Sequence, residues 1–263
     1  MKRNAIKKRS VCFMLCLLIS VAALCQSRRY TVSNAHSHND YVNTVPFYTA
    51  YRAGFGSIEA DIYLFNNRLL VGHDSADLVS NRSIEAYYLM PLDSCIRAHR
   101  GSVYADPSKQ LILLIDIKNA PAPALDSLIR LLKRYPRITA CSSLKITITG
   151  SRPDPETFTQ YPDFIWFDGV LSIPYSEKAL SRIVLLSDNL RSYVNWRGTD
   201  TLPAAGAVIL RTAIGKGHGL RKPVRFWNAP DTPYAWEQLM GLDADYLNTD
   251  HIGQISLFLA GRP

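Results

Sequence analysis

Three short stretches of the chain carry side chains able to hold cations and move protons. Glu59-Ala60-Asp61 sits inside residues 58–64, an otherwise apolar run. Alternate residues of a strand share a face, so Glu59 and Asp61 point one way and Ile58, Ala60 and Ile62 the other. Two carboxylates facing an interior are costly without a compensating cation, and oxygen donors suit a hard divalent ion. Asp116 and Lys118 repeat the i, i+2 spacing at the end of residues 111–118, which begin with an apolar run. Asp116 is a third candidate ligand, while Lys118 either meets a substrate anion or neutralises the carboxylates. His36-Ser37-His38-Asn39-Asp40 and Gly72-His73-Asp74 place histidines at the ends of two other extended segments. Two histidines beside a divalent cation suit phosphodiester cleavage. One imidazole takes a proton from the attacking hydroxyl or water, the other gives one to the departing alkoxide, and the cation offsets charge on the phosphoryl oxygens. An imidazole pKa near neutrality fits both tasks.

These residues need a frame that brings separate strands to one place. Apolar, β-branched runs alternate with helical patterns along the chain, which predicts βα units and a parallel sheet. Strands are expected at 31–36, 57–65, 68–73, 111–118, 144–149, 164–167, 183–187, 224–227 and 245–248. Helices are expected at 46–53, 124–134, 206–215, 234–242 and 252–259, the second with Leu125, Leu128, Ile129 and Leu132 on one face. This pattern predicts a single-domain (β/α)8 TIM barrel over residues 26–263. An open doubly wound sheet is the alternative, but its glycine-rich phosphate turn is missing after the first strand. His36, Asp61, Lys118, Thr149, Asp168, Asp188, Asn228 and Asp250 all fall at or just after expected strand C-termini. In barrel enzymes that rim is the catalytic face. Trp227 ends a late strand and either lines the substrate pocket or packs in the core.

Charge and cysteines bound the remaining readings. Lys2, Arg3, Lys7, Lys8 and Arg9 precede an uncharged, mostly apolar run up to Leu24, the pattern of a secretory signal peptide over residues 1–25. Alternative readings acylate Cys25 or leave the segment uncleaved. Export to the periplasm or outside follows, with no stable membrane span after processing. Five of the positive charges behind the formal net charge of +8 lie in this leader, leaving +3, which makes no case for nucleic acid. Beyond the leader only Cys95 and Cys141 remain, either bridged or as two buried thiols.

Ser37-His38-Asn39-Asp40-Tyr41, Glu59-Ala60-Asp61, Val71-Gly72-His73-Asp74 and Ile115-Asp116-Ile117-Lys118 together resemble the superfamily of phosphatidylinositol-specific phospholipase C and glycerophosphodiester phosphodiesterase. The resemblance is greatest to its poorly characterised branch that includes the altered-inheritance-of-mitochondria proteins. It implies a TIM barrel and a metal-dependent phosphoric diester hydrolase, or a lyase-type enzyme with a cyclic product. By the resemblance, His38 and His73 are catalytic, with His36 a further candidate for the first position. Glu59, Asp61, Asp116 and Asn39 then hold one Ca²⁺ or Mg²⁺, with Lys118 on the substrate. The Asp-x-Lys string is similar to the sphingomyelinase D branch, since glycerophosphodiesterases usually carry Glu at the position of Asp116. The implied substrate is a small-molecule or lipid phosphodiester, which places the protein in lipid metabolism. Two other readings remain: a zinc amidohydrolase-like barrel using His36 and His38, and a metal-containing binding barrel without turnover.

Overall fold

The computed structural model describes residues 29–261; the expected leader at 1–25 lies outside the described residues. Eight strands run parallel: β1 (Ala35–Ser37), β2 (Ser57–Phe65), β4 (Leu111–Ile117), β5 (Leu144–Gly150), β6 (Ile165–Val170), β7 (Ile183–Asn189), β8 (Val224–Trp227) and β9 (Leu247–Thr249). The ninth, β3 (Arg68–Val71), folds back antiparallel on β2 as a hairpin. The parallel strands follow the order β8-β7-β6-β5-β4-β2-β1-β9, and a bridge between Arg225 and Tyr246 joins the two ends. The result is a nearly closed eight-stranded barrel in one domain.

Around it lie α1 (Tyr48–Ala53), α2 (Met90–Ala98), α3 (Pro121–Leu132), α4 (Pro136–Ala140), α5 (Glu177–Leu180), α6 (Ala204–Gly219), α7 (Pro233–Gly241) and α8 (Ile252–Ala260). Helix α3 buries Leu125, Leu128, Ile129 and Leu132, as the spacing predicts. The outward strand residues Ile58, Ala60, Ile62, Leu113, Ile115, Ile146 and Ile148 join the main core beneath these helices. Each large aliphatic side chain buried this way contributes about 1.5–3 kcal/mol.

Several segments depart from expectation, among them the short helices α4 and α5, which the sequence pattern does not predict. Residues 31–34 do not extend β1, because Val32–Asn34 form a 3-10 turn closed by reciprocal hydrogen bonds between Thr31 and Asn34. Threonine and asparagine here offer the backbone side-chain partners in place of a strand ladder. Helix α2 was not expected at all. It shows only a short apolar face, Leu92, Cys95 and Ile96, continued from a π-helical turn at Glu85–Leu89.

The barrel interior is layered by strand register. His36, Ser57, Ile112 and Lys145 lie side by side across four strands. Two residues further along come Glu59, Leu114, Thr147 and Trp166, and then Asp61, Asp116 and Thr149. Ile112, Leu114 and Leu185 form a small apolar plug with Val184 and Tyr246. The charged residues therefore sit at the C-terminal end of the barrel, above an apolar floor.

Candidate active site

Asp61 and Asp116 are cross-strand neighbours on β2 and β4, and Glu59 precedes Asp61 by one pleat. One oxygen from each of the three lies within 4.8 Å of the others. Lys118 Nζ reaches Asp61 Oδ2 at 2.9 Å and Asp116 Oδ2 at 2.7 Å. One ammonium on the two aspartates and the Arg225 guanidinium on Glu59 do not balance three carboxylates. Burial first, and then the Glu59 charge, push Asp61 up to about 7 despite Lys118. Asp61 Oδ1 is buried without a hydrogen-bond partner, an expensive state for a carboxylate oxygen. A close set of oxygen donors with one orphaned atom fits a hard divalent cation. The Tyr41 hydroxyl lies 2.7 Å from Asn39 Oδ1 and 2.9 Å from Asp61 Oδ2, tying Asn39 to the same cluster. Gly150 holds the far side, at φ +69°, where a Cβ would stand 1.8 Å from Asp116 Oδ1.

The loop after β1 is anchored so that its residues diverge. Asp40 is buried and accepts hydrogen bonds from Phe47 N–H at 2.6 Å, Ser37 at 2.9 Å and Tyr88 at 3.1 Å. Asn39 takes the left-handed conformation, φ 47°, which asparagine tolerates better than most residues. His38 emerges beside the cluster with Nδ1 2.9 Å from Asp250 Oδ1. Burial opposes a charge on His38, but the Asp250 hydrogen bond and the Glu59 and Asp250 charges raise its pKa above the ordinary value. His73, beyond β3, sets Nδ1 3.1 Å from Asp74 Oδ2, and its carbonyl accepts from Tyr63 at 3.0 Å.

His38, His73, Glu59, Asp61, Asp116 and Lys118 line one cavity of about 370 Å³. Asn39, Thr149, Gly150, Arg152, Arg225 and Trp227 complete its wall. His36 lies beneath it. Its side chain is fully buried, with Nδ1 2.7 Å from Ser57 Oγ and Nε2 2.7 Å from Glu59 Oε2. Burial and the Arg225 charge lower its pKa to about 4, so the ring is neutral at physiological pH. Burial alone would raise Glu59, yet its His36 hydrogen bond and the charges around it hold it below the ordinary carboxylate value. With both ring nitrogens engaged, His36 is poorly placed to share a zinc ion with His38.

Residues 26–137 match the AIM6-like phosphodiesterase domain, and residues 223–253 match the glycerophosphoryl diester phosphodiesterase family. Over these two stretches the chain resembles the glycerophosphodiester phosphodiesterase-like superfamily. Within it, the chain resembles the altered-inheritance-of-mitochondria proteins. It is 36% identical over 116 residues to the protein 6 homolog of Arthroderma benhamiae, covering 37% of each chain. It is 26% identical over 270 residues to protein 6 of Eremothecium gossypii, covering 86% of this chain and 69% of that one. The chain thus spans little more than a third of the first relative. In fold it is similar to a glycerophosphodiester phosphodiesterase from Parabacteroides distasonis, with a TM-score of 0.53 and 14% identity over 87% of this chain and 98% of that one.

The two stretches matched to phosphodiesterase families supply opposite walls of the cavity. The first contains the carboxylates, both lining histidines and Lys118; the second contains Arg225, Trp227 and Asp250. Trp227 is 43% exposed at the cavity wall and not in the core. Of the other strand-end residues, Thr149 donates to Asp168 Oδ2 at 3.0 Å, Asp188 accepts from Tyr193, and Asn228 lines a smaller adjoining cavity with His38 and Asp250. Sequence reasoning gave no role to Arg225. It is 3% exposed, with Nη1 3.2 Å from Glu59 Oε2 and Nη2 3.6 Å from Asp168 Oδ2. Arg152, which donates to the Asp168 carbonyl, was also missed. A lone arginine in an apolar strand was the available signal for Arg225; nothing in the local pattern marks Arg152. Cys95 and Cys141 are both free and buried. Among the described residues, no helix is long and apolar enough to cross a membrane.

Proposed function

We propose that this chain is an exported, divalent-cation-dependent phosphodiesterase acting on a small-molecule or lipid phosphodiester. The observation that carries this reading is the shared cavity, where two histidines from separate loops flank a three-carboxylate cluster and Lys118. His38, oriented through Nδ1 by Asp250, takes the proton of the attacking hydroxyl or water, and His73 returns one to the leaving alkoxide. The reverse assignment uses the same groups. Lys118 holds a non-bridging phosphate oxygen and Trp227 packs on the substrate's alcohol. Glu59, Asp61, Asp116 and Asn39 hold Ca²⁺ or Mg²⁺, which when bound supplies positive charge for the phosphoryl oxygens.

Phosphorus NMR of glycerophosphodiesters and inositol or choline lipids, incubated with cation-loaded protein, is the test. Cleavage abolished by chelation and restored by Ca²⁺ or Mg²⁺ is expected, and the product spectrum separates hydrolysis from cyclic transfer. No turnover of any diester, bis(p-nitrophenyl) phosphate included, would leave a binding barrel as the better reading.

A further inference from the structure

The least explained charge in the molecule is the Arg225 guanidinium. It is almost wholly buried, in a barrel interior where a cation needs a partner. Its Nε reaches Ser187 Oγ at 3.1 Å, and Nη2 faces Asp168. Its Nη1 lies 3.2 Å from Glu59 Oε2 and 2.7 Å from His36 Nε2. His36 Nε2 is also 2.7 Å from that same Glu59 oxygen. Three groups therefore meet at one point, and a single imidazole nitrogen cannot donate to the carboxylate and accept from the guanidinium at once.

We infer that Arg225 is the internal counter-cation of the carboxylate cluster, passing from Glu59 to His36 when a divalent cation takes up Glu59. The inference rests on the cluster being a cation site. Without the ion, Glu59 needs a positive partner, and the fork of Arg225 provides one from across the barrel while its other arm serves Asp168. His36 then carries its proton on Nε2 and donates a hydrogen bond from it to Glu59, with the Ser57 hydroxyl donating to Nδ1. Once Glu59 serves the cation, the His36 proton sits on Nδ1 toward Ser57, and Nε2 accepts from Arg225. The exchange breaks the His36 Nε2–H bond and forms an Nδ1–H bond, one proton passing to water and one returning from it, so no net proton is taken up and neither buried group loses its partner. Arg225 and His36 are positioning residues in this scheme and never touch the substrate.

Two consequences follow. The metal-free protein is already neutralised around Glu59, so it folds without the ion. The Arg225 charge also opposes a second cation nearby, which keeps the divalent ion exchangeable. Nitrogen-15 NMR of the His36 ring in the wild-type protein tests the hand-over directly. The Nε2-protonated tautomer is expected under chelation and the Nδ1-protonated tautomer with saturating Ca²⁺ or Mg²⁺. One tautomer in both states overturns the proposal. Calorimetric titration of Arg225→Met with the same ions should show affinity raised by about tenfold or more. Its melting temperature should be lowered under chelation and largely recovered by the ion, through binding linkage. Unchanged or weaker affinity also overturns it. Arg225→Lys, which keeps the charge but loses the fork, should stay within a few-fold of wild-type affinity. These readouts do not depend on turnover, so an inactive protein with the expected tautomer change sinks only the phosphodiesterase reading. An active protein without that change sinks only this one.

Discussion

The two halves of the barrel both send carboxylates inward but compensate them differently. On the β2–β4 side, Glu59, Asp61 and Asp116 crowd together with Lys118 on the two aspartates and one arm of Arg225 on Glu59, and Asp61 keeps an unpartnered oxygen. On the β6–β8 side, Asp168 lies between Thr149, Arg152 and Arg225, although its Oδ1, like that of Asp61, has no hydrogen-bond partner. Three carboxylates share Lys118 and one arm of Arg225 on the first side, whereas on the second a single carboxylate faces two guanidinium groups. A buried carboxylate cluster left short of cations is costly as structure alone, whereas a buried ion pair is an ordinary solution to burial. The contrast assigns chemistry to the first side and support to the second. Substitutions on the two sides should then differ in kind: those on the first should cost rate, and those on the second stability.

The widest expected separation is at the histidines. His38→Ala and His73→Ala should each lower kcat by about 10²–10⁴-fold, the usual worth of a general acid or base. Circular dichroism and melting temperature should stay near wild type, because both side chains are partly or largely exposed. Near-normal turnover in both variants would remove the catalytic assignment from this side of the barrel.

Asp116→Asn comes next. It takes one carboxylate from the cluster without changing its volume, and turnover should fall by on the order of a hundredfold while needing more cation for half-maximal rate. A rate that falls with no change in cation requirement would detach Asp116 from the ion. Gly150→Ala approaches the same atom from outside. The added methyl would overlap Asp116 Oδ1 and burden a left-handed backbone position. About a tenfold loss of kcat is expected from the displaced carboxylate, with about 1–2 kcal/mol of destabilisation from the backbone. Full activity would show that Asp116 can move aside without consequence.

The same contrast explains what could be read from the chain. The β2–β4 side was legible because its ligands follow a local rule. Glu59 and Asp61 alternate with Ile58, Ala60 and Ile62, and Asp116 with Ile115 and Ile117, so each pair announces an inward carboxylate within a few residues. The barrel itself was legible for a similar reason, since long apolar strands and one-faced helices such as α3 are periodic. The β6–β8 side has no such rule. Arg225 meets Glu59 across the barrel, 166 positions away in sequence, and only closure of the sheet brings them together. Residues 31–34 and helix α2 failed for opposite reasons: capping by Thr31 and Asn34 overrode an extended pattern, and an apolar face of three residues was too short to stand out. His36 and His38 could not be ranked from spacing, because their separation into a buried and a cavity-lining ring depends on Asp40 anchoring the loop.

The smallest effect is expected on the supporting side and concerns acid stability. Burial outweighs the Arg225 and Arg152 charges and raises the pKa of Asp168 above its ordinary 3.8. The folded protein therefore holds this proton to higher pH than the unfolded chain. Its stabilising contribution is complete below pH 3.8 and is lost as pH rises through the folded value. Asp168→Asn removes the titration while keeping the shape. In metal-free protein the variant should begin within about 1 kcal/mol of wild type at acid pH, the worth of one altered hydrogen bond. It should then gain on wild type as pH rises toward neutrality. Urea unfolding of both proteins across that range measures the difference. A gap that stays constant with pH would mean that Arg225 and Arg152 hold Asp168 ionised throughout, making this side of the barrel a fully formed ion-pair network.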